Sequence, residues 1–301
     1  MADYDVVVIG GGLAGLAAGT VLARARRRVV VVDAGEPRHA PAAHAHGFPA
    51  LDGISPDELL SRSRAEMTGY GGEFVEDRVE RIERDGADFL VRRESGALRA
   101  RAVLAATGLR DELPDVGGLR ERWGRDVLHC PYCHGYEVRD RALAVVGGDN
   151  RPFTLHQAQL VRQWSADVVF FPNRIELDAS ERDRLAARGI EVVAGPVRRV
   201  VSGAEGVRGV ELADGREVAR EAVFVGPRFA PRDELLTELG CAVGDNGRLA
   251  VDPSGRTSVD GVWTAGNVSD SPAQLVNAAS QGSTAAIAVN HHLLAQDVER
   301  A

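Results

Sequence analysis

The sequence predicts an α/β protein made of two units, each a parallel β-sheet with helices packed against it. Two observations carry this prediction. A run of β-branched residues at 5–9 leads through a glycine turn into a helical pattern, and the same strand–glycine–helix opening returns at 142–148. The length of 301 residues fits two domains of ordinary size. With 44% hydrophobic and 27% charged residues, the chain has enough apolar material to fill buried cores.

The remaining elements follow from local periodicity and from turn residues. In the first half we expect a helix from Leu13 to about Arg26, a strand at 29–32, a long ordered loop at 34–56, a helix at about 56–70 and strands up to 107. The Pro and Gly content of 109–119 is typical of a crossing between domains. In the second half we expect a helix at about 152–164, a strand at 167–171, strands and hairpins up to 225 with a turn at Asp214–Gly215, a strand at 262–268 and a helix at 273–295.

The charge and the residue types exclude several classes of function. The formal net charge is −8, which disfavours nucleic acid as a partner. All 36 basic residues are Arg, so Schiff-base chemistry and a P-loop lysine are excluded. Three cysteines are too few for a secreted disulfide scaffold.

The most apolar stretch, residues 6–23, approaches the length of a membrane span. It contains five glycines within fourteen residues, however, and runs directly into four arginines between 24 and 28. A buried strand, a glycine turn and a helix explain it better. The first residues are acidic, unlike those of a signal peptide. We therefore expect a cytoplasmic protein with no membrane partner.

The first glycine turn has the pattern G-x-G-x-x-G. Gly10, Gly12 and Gly15 follow an apolar strand and open a helix, and Asp33 ends the next strand. Glycines let the backbone approach a pyrophosphate, the helix N-terminus supplies N–H groups, and an acid at the second strand accepts hydrogen bonds from ribose hydroxyls. This combination predicts a Rossmann-like dinucleotide-binding domain, without distinguishing FAD from NAD.

A second motif lies near the C-terminal end of the chain. A predicted strand ends in Ala265-Gly266-Asn267 beside a long helix of small residues. It resembles the second flavin-binding motif of flavoproteins with two dinucleotide domains, in which an acid after the glycine bonds the ribityl chain. Asn267 can still donate or accept a hydrogen bond there. A buried strand and an ordinary amphipathic helix remain the alternative.

The centre of the chain reads His129-Cys130-Pro131-Tyr132-Cys133-His134, with two of the three cysteines at CxxC spacing. Such a pair can alternate between dithiol and disulfide. Three alternatives remain open: c-type haem attachment, a zinc site and two merely buried thiols. The redox pair is favoured over haem because no export signal is present, and over zinc because no second Cys/His pair has ligand spacing; we therefore expect no metal. Cys241 is expected to be a small core residue.

Over essentially its full length, the chain resembles the low-molecular-weight thioredoxin reductase family. The glycine turn at 10–15, Thr107-Gly108, the CPYC sequence at 130–133 and the AGN sequence at 265–267 carry the resemblance. It implies two Rossmann-like domains of three-layer ββα architecture, with a discontinuous FAD domain formed by residues 1–113 and 225–301. An inserted NAD(P)-type domain at 114–224 carries the CxxC. A homodimer is also implied.

The resemblance assigns roles to individual residues. It implies that Cys133 lies closer to the flavin and that Cys130 exchanges with substrate. His134 replaces the Asp that usually serves the family as proton donor and can shuttle the same proton, with a capping or solvent-facing histidine as the alternative. His44 and His46 are further candidates for flavin contact, with loop packing as the alternative for both. The implied FAD-binding residues are Gly10, Gly12, Leu13, Ala14, Gly15, Asp33, Arg38, His46, Val79, Thr107, Gly108, Asn267 and Gln274.

The second glycine turn departs from the family. After Gly147-Gly148 no third glycine or alanine follows in register, and the bulky residues Pro152 and Phe153 stand near the turn. The family has a cluster of arginines for the 2′-phosphate after the next strand, whereas this chain has a single arginine there, Arg174. NADPH binding is therefore doubtful. The chain resembles instead the dithiol oxidases of the gliotoxin and holomycin type, which implies oxidation of a small-molecule dithiol to a disulfide, with O2 as acceptor. An NADPH-dependent disulfide reductase and a flavin redox sensor remain alternatives.

Overall fold

The structure, a computed structural model, describes residues 2–300. The strands are β1 (Tyr4–Ile9), β2 (Val29–Asp33), β3 (Glu73–Glu76), β4 (Val79–Asp85), β5 (Asp88–Arg93), β6 (Gly96–Ala105), β7 (Leu109–Glu112), β8 (Val127–Leu128), β9 (Leu143–Val146), β10 (Val168–Phe171), β11 (Glu191–Val192), β12 (Val197–Ser202), β13 (Val207–Leu212), β14 (Glu217–Ala219), β15 (Ala222–Val225), β16 (Arg228–Pro231) and β17 (Val262–Thr264). The α-helices are α1 (Leu13–Arg24), α2 (Pro56–Gly69), α3 (Pro131–His134), α4 (Arg151–Val161), α5 (Ala179–Ala187), α6 (Glu234–Glu238) and α7 (Leu275–Glu299).

The chain divides into two compact units. Unit 1 contains residues 2–40, 47–110 and 230–300, and unit 2 contains residues 41–46 and 111–229. Each unit has its own parallel sheet and its own apolar cores.

Unit 1 is built on the parallel strands β3, β2, β1, β6 and β17, in that order. The ten-residue strand β6 belongs to two layers. Its second half pairs with β17, and its first half pairs in antiparallel fashion with β5, which in turn pairs with β4. The antiparallel strands therefore form a separate layer that begins at β6.

Both faces of the unit 1 sheet are buried. Successive side chains of a strand point to opposite faces, and accordingly Val6 and Val8 pack in a core with residues of α1 and α7. Val7 and Ile9 pack in a second core with Phe89 and other residues of the antiparallel layer. These layers confirm the ββα architecture expected from the sequence.

Unit 2 repeats this arrangement on a smaller scale. Its strands β11, β10, β9, β15 and β8 form a parallel sheet, and β12, β13 and β14 form an antiparallel sheet. Ala144 and Val146 of β9 share a core with residues of the antiparallel sheet. Leu143 and Val145 of the same strand share another core with residues of α4 and α5.

Most elements expected from the sequence are confirmed, and two segments differ from the expectation. The strand expected at 262–268 ends at Thr264, because the chain turns at Gly266 into a 3-10 helix over Gly266–Val268. The stretch from 172 to 225 was expected to contain strands and hairpins only, but α5 lies within it. Its first turn is closed by a capping box, in which Asp178 and Glu181 bond each other's backbone N–H groups. Along α5 the only buried apolar residue is Leu185, so the helix shows no apolar stripe. The turn at Asp214–Gly215 is confirmed between β13 and β14.

Within residues 2–300, none of the helices combines the length and the apolar character required to cross a membrane.

Candidate functional site

A cleft of about 390 Å³ lies in unit 1 at the carboxyl ends of the parallel strands β1, β2, β6 and β17. In open α/β sheets this edge is where ligands bind. Ten residues expected to bind the cofactor line the cleft: Gly10, Gly12, Leu13, Ala14, Asp33, Arg38, Val79, Thr107, Gly108 and Asn267. The sequence-based residue set is thus largely gathered in one place.

The glycine turn between β1 and α1 is tightly packed on one side and open on the other. A Cβ atom at Gly10, where φ is +104°, would lie 2.3 Å from the carbonyl oxygen of Ala106. A Cβ atom at Gly15 would lie 1.9 Å from the carbonyl oxygen of Gly10. No atom lies within 4 Å of a Cβ placed at Gly12, the residue that borders the cleft. Gly15 therefore closes the turn, and Gly12 leaves space for a ligand.

The N-terminus of α1 is suited to an anion. The N-cap of this twelve-residue helix is Gly12, which has no side chain to accept a hydrogen bond from the first turn. N–H groups at a helix start, together with the helix dipole, attract a phosphate. A pyrophosphate in the cleft would take the place of the missing cap.

Two polar side chains that line the cleft contact each other. Nη1 of Arg38 donates to Oδ1 of Asn267 at 3.4 Å. The Asn267 amide nitrogen donates to the carbonyl groups of residues 270, 271 and 273, which lead into α7. Gln274 is the N-cap residue of α7 and lies outside the cleft lining, while the next residue, Leu275, lines it.

His39 also lines the cleft, although it is not among the cofactor-binding residues predicted from the sequence. Its Nε2 atom is buried and has no hydrogen-bond partner among residues 2–300. Burial lowers the pKa of the imidazole.

Arg232 is a second lining residue that the sequence did not predict. It comes from a distant part of the chain and forms an ion pair with Glu36 at 3.1 Å.

The lining residues fit FAD. An uncapped helix start suits its pyrophosphate, a carboxylate at Asp33 suits a ribose, and the unpartnered Nε2 atom of His39 can bond a polar group of the ligand. These residues would hold the cofactor, which supplies two-electron chemistry.

The redox candidate lies in unit 2, where Cys130 and Cys133 are joined by a disulfide with 5.3 Å between their Cα atoms. Cys130 is the N-cap residue of α3, and its carbonyl oxygen accepts hydrogen bonds from the backbone N–H groups of Cys133 and His134. Pro131, at the first helical position, has the φ angle that this tight turn requires. Within residues 2–300, no cluster of three or more His, Cys, Asp or Glu side chains could hold a metal ion.

His134 lies next to the disulfide in sequence and is largely buried. Neither ring nitrogen has a hydrogen-bond partner in the described part of the chain. Burial lowers the pKa of this imidazole; the nearby charge of His46 acts in the same direction, and Glu137 opposes them. A lowered pKa favours the neutral form of the ring, which is the form that accepts a proton.

His46 was expected among the flavin-binding residues, but it does not line the cleft. Its Nε2 atom lies 3.5 Å from a carboxylate oxygen of Glu137, three residues after His134. The His44 ring centre lies 6.4 Å from that of His46. The structure thus places both loop histidines within unit 2.

The second glycine turn differs from the first at the helix start. The side chain of Asn150 caps α4 by accepting a hydrogen bond from the N–H of Phe153 at 3.2 Å. Asn173 bonds the carbonyl oxygen of Gly147 and the N–H of Val197. At this helix start, unlike that of α1, a side chain of the unit itself therefore occupies one of the N–H groups that could bind a phosphate.

Comparisons with known proteins agree with this geometry. Residues 4–282 match the family model described as pyridine nucleotide-disulphide oxidoreductase. Thioredoxin reductase sirT of Leptosphaeria maculans is 30% identical over 98% of this chain and 96% of its own. Thioredoxin reductase tcpT of Claviceps purpurea is 31% identical over 97% and 94%. The crystal structure of HlmI is 54% identical, covers 98% of this chain and 94% of its own, and superposes with a TM-score of 0.95.

These matches confirm the resemblance to thioredoxin reductases, and with it the assignment of FAD as the cofactor. The chain belongs to the pyridine nucleotide-disulphide oxidoreductase family, as an FAD-binding oxidoreductase of the thioredoxin reductase type.

Proposed function

We propose that the protein oxidises small-molecule dithiols to disulfides and uses dioxygen as the final electron acceptor. The overall reaction converts one dithiol and one O2 into one disulfide and one hydrogen peroxide. Two electrons and two protons leave the substrate and reach the oxygen.

The difference between the two helix starts is the observation that carries the proposal. The uncapped N-terminus of α1 borders a cleft, whereas the Asn150 side chain caps α4. A nicotinamide dinucleotide would have to displace that cap and approach a backbone beside Phe153, whose ring packs on Phe229 with 5.8 Å between centres. The start of α1 is therefore better suited to a dinucleotide phosphate than the start of α4, which supports FAD in unit 1 and argues against NADPH in unit 2.

The proposed exchange begins at the disulfide. A substrate thiolate attacks Sγ of Cys130, the Cys130–Cys133 bond breaks, and Cys133 leaves as a thiolate. The second substrate thiolate then attacks the substrate sulfur of the mixed disulfide, so that Cys130 leaves and the substrate disulfide is released. The neutral imidazole of His134 takes the proton of the attacking thiol and returns it to a cysteine thiolate.

The cysteine pair is left reduced by two electrons. A bound FAD would supply a two-electron acceptor for the pair, with dioxygen as the final oxidant. The resemblance assigns the flavin-facing position to Cys133 and the substrate-facing position to Cys130, and this assignment stays a prediction.

An anaerobic titration tests the electron source. Purified holoprotein is mixed with NADPH, with NADH or with a small dithiol such as dithiothreitol, and the flavin band near about 450 nm is followed. We expect bleaching by the dithiol alone, and return of the band together with hydrogen peroxide when oxygen is admitted. Bleaching by NADPH without a dithiol would overturn the proposal in favour of an NADPH-dependent disulfide reductase.

A further inference from the structure

A buried amide supports the chain immediately before the redox pair. Gln157 of α4 is 0% exposed, and its Nε2 atom donates to the carbonyl oxygen of His129 at 2.6 Å and to that of Val225 at 3.4 Å. His129 directly precedes Cys130, and Val225 ends β15. Both acceptors are carbonyl groups, so the NH2 end of the amide must face them. One side chain thus connects the peptide before Cys130 to the end of β15, an interior strand of the unit 2 sheet.

The ring of His129 is held as firmly as its carbonyl group. It stacks on Trp123 with 5.7 Å between ring centres, and it meets the edge of Phe229 at 6.0 Å. With the carbonyl bonded to Gln157 and the ring bracketed by two aromatic residues, the residue before Cys130 has little freedom to move.

Within the described chain, the side-chain amide of Gln157 has one bonded end and one unbonded end. Its Oε1 atom is buried without a hydrogen-bond partner among residues 2–300, so the folded protein bears the desolvation cost of that acceptor. A leucine of similar size would avoid this cost but would leave the carbonyl groups of His129 and Val225 without this donor. What the glutamine alone provides is a pair of N–H donors aimed at the strand end that leads into the CxxC.

We propose that Gln157 is a positioning residue for Cys130, and that by fixing the His129 carbonyl group it keeps the Cys130 sulfur within reach of Cys133. The inference rests on the proposed redox role of the pair. A disulfide forms more readily when its two sulfurs are held close together, since less chain entropy is lost on closure. Loosening residue 129 therefore shifts the pair toward the dithiol.

The test compares Gln157→Leu with Thr154→Val. Thr154 lies one turn earlier on α4, is also 0% exposed, and its Oγ1 atom has no hydrogen-bond partner in the described chain, so its replacement removes a buried polar atom without releasing residue 129. Holoprotein is equilibrated anaerobically with mixtures of reduced and oxidised dithiothreitol, quenched with acid, denatured and alkylated. Mass spectrometry then counts the modified thiols, and the free Cys241 serves as an internal reference.

We expect the equilibrium constant for reduction of the pair to rise about tenfold in Gln157→Leu and to stay unchanged in Thr154→Val, given the usual strength of a buried hydrogen bond. Equal constants in wild type and Gln157→Leu would refute the positioning role. A wild-type pair that no dithiothreitol ratio reduces would instead refute the proposed function.

Gln157→Glu supplies a second variant if the leucine protein does not fold. A buried carboxyl group has a raised pKa, and its protonated form still has one donor for the His129 carbonyl. The pair in this variant should behave like wild type at low pH and shift toward the dithiol as the carboxyl group ionises. If Gln157 had only a structural role, ionisation of the introduced carboxyl group would not change the equilibrium constant for reduction of the pair. The same pH dependence of that constant in Gln157→Glu and in wild type would therefore contradict the inference.

Discussion

The carboxylate of Asp33 accepts a hydrogen bond from the backbone N–H of Gly11, with 2.8 Å between Oδ1 and the nitrogen. Its other oxygen accepts from the N–H of Gly35 at 3.2 Å. The bond joins the end of β2 to the middle of the turn between β1 and α1, so the turn is held in shape before any ligand arrives. Because the backbone of the turn is already ordered, ligand binding does not have to order it, and no binding free energy is lost in that way.

Two alanine substitutions in this turn should have opposite consequences. Gly12→Ala places a methyl group in open space at a φ of −72°, so the free energy of unfolding should change by less than about 0.5 kcal/mol. The same methyl group intrudes where the pyrophosphate approaches, so the dissociation constant for FAD should rise at least about tenfold. Urea unfolding of the apoprotein and fluorescence titration with FAD measure the two effects.

Gly15→Ala is the matched comparison. Its Cβ atom would lie 1.9 Å from the Gly10 carbonyl oxygen, so the backbone must move, and we expect a loss of about 1–3 kcal/mol in the free energy of unfolding. If Gly12→Ala bound FAD as tightly as wild type, the phosphate-binding role of this helix start would be wrong.

Replacing Cys130 should stop turnover without removing the flavin. Cys130→Ser leaves no disulfide for a substrate thiolate to attack, and Cys130 does not line the cleft in unit 1. We expect dithiol-dependent oxygen uptake to fall to background while the flavin absorbance of the purified protein is retained. Cys241→Ser is the control, since Cys241 is a buried free thiol, and it should keep its activity. Full turnover in Cys130→Ser would contradict a redox role for the pair.

The stability of helix α5, which was not predicted from the sequence, should depend on its N-terminal cap. Oδ1 of Asp178 accepts from the N–H of Glu181 at 2.7 Å, and removing this bond in Asp178→Ala should lower the free energy of unfolding by about 1 kcal/mol. Asp183→Ala, at an exposed position inside α5, should have a much smaller effect. Urea unfolding followed by circular dichroism compares the two variants. Equal losses would mean that the cap does not stabilise this helix.

The parts of the fold that could be predicted are those in which local pattern and tertiary role agree. The glycine turn at 10–15 was readable because its conformation depends on nearby residues, and Asp33 because it ends a fully apolar strand. α5 lacked the apolar stripe that identifies a helix, although its D-x-x-E start was visible in the sequence.

Residues whose role depends on distant partners were not predictable. Gln157 looks like any polar residue of a helix, and only the folded sheet brings the His129 carbonyl to it from 28 positions away. The same holds for Arg232, which reaches the cleft lining from a segment remote from the glycine turn. The flavin contact of His46 stays a prediction, and the structure adds a neighbour that the sequence did not indicate, the carboxylate of Glu137.

The pH dependence of thiol oxidation should identify His134 as the base. Burial lowers the pKa of its imidazole, so the folded protein keeps the ring neutral through neutral pH and protonates it only as the pH falls below the ordinary histidine value of about 6.5. The wild-type rate of anaerobic flavin bleaching by a dithiol should therefore stay high at neutral pH and fall on the acid side.

In His134→Ala the thiolate must form by its own ionisation, with a pKa near about 8.5, so the rate should drop roughly tenfold for each pH unit below that value. At pH 7 this makes the variant slower than wild type by about 10- to 100-fold, and the difference should vanish near pH 9. His156→Ala, which removes an exposed histidine of α4 in the same unit, should keep the wild-type profile. Parallel profiles for wild type and His134→Ala would show that His134 is not the base, because a side chain with a purely structural role would lower the rate equally at every pH.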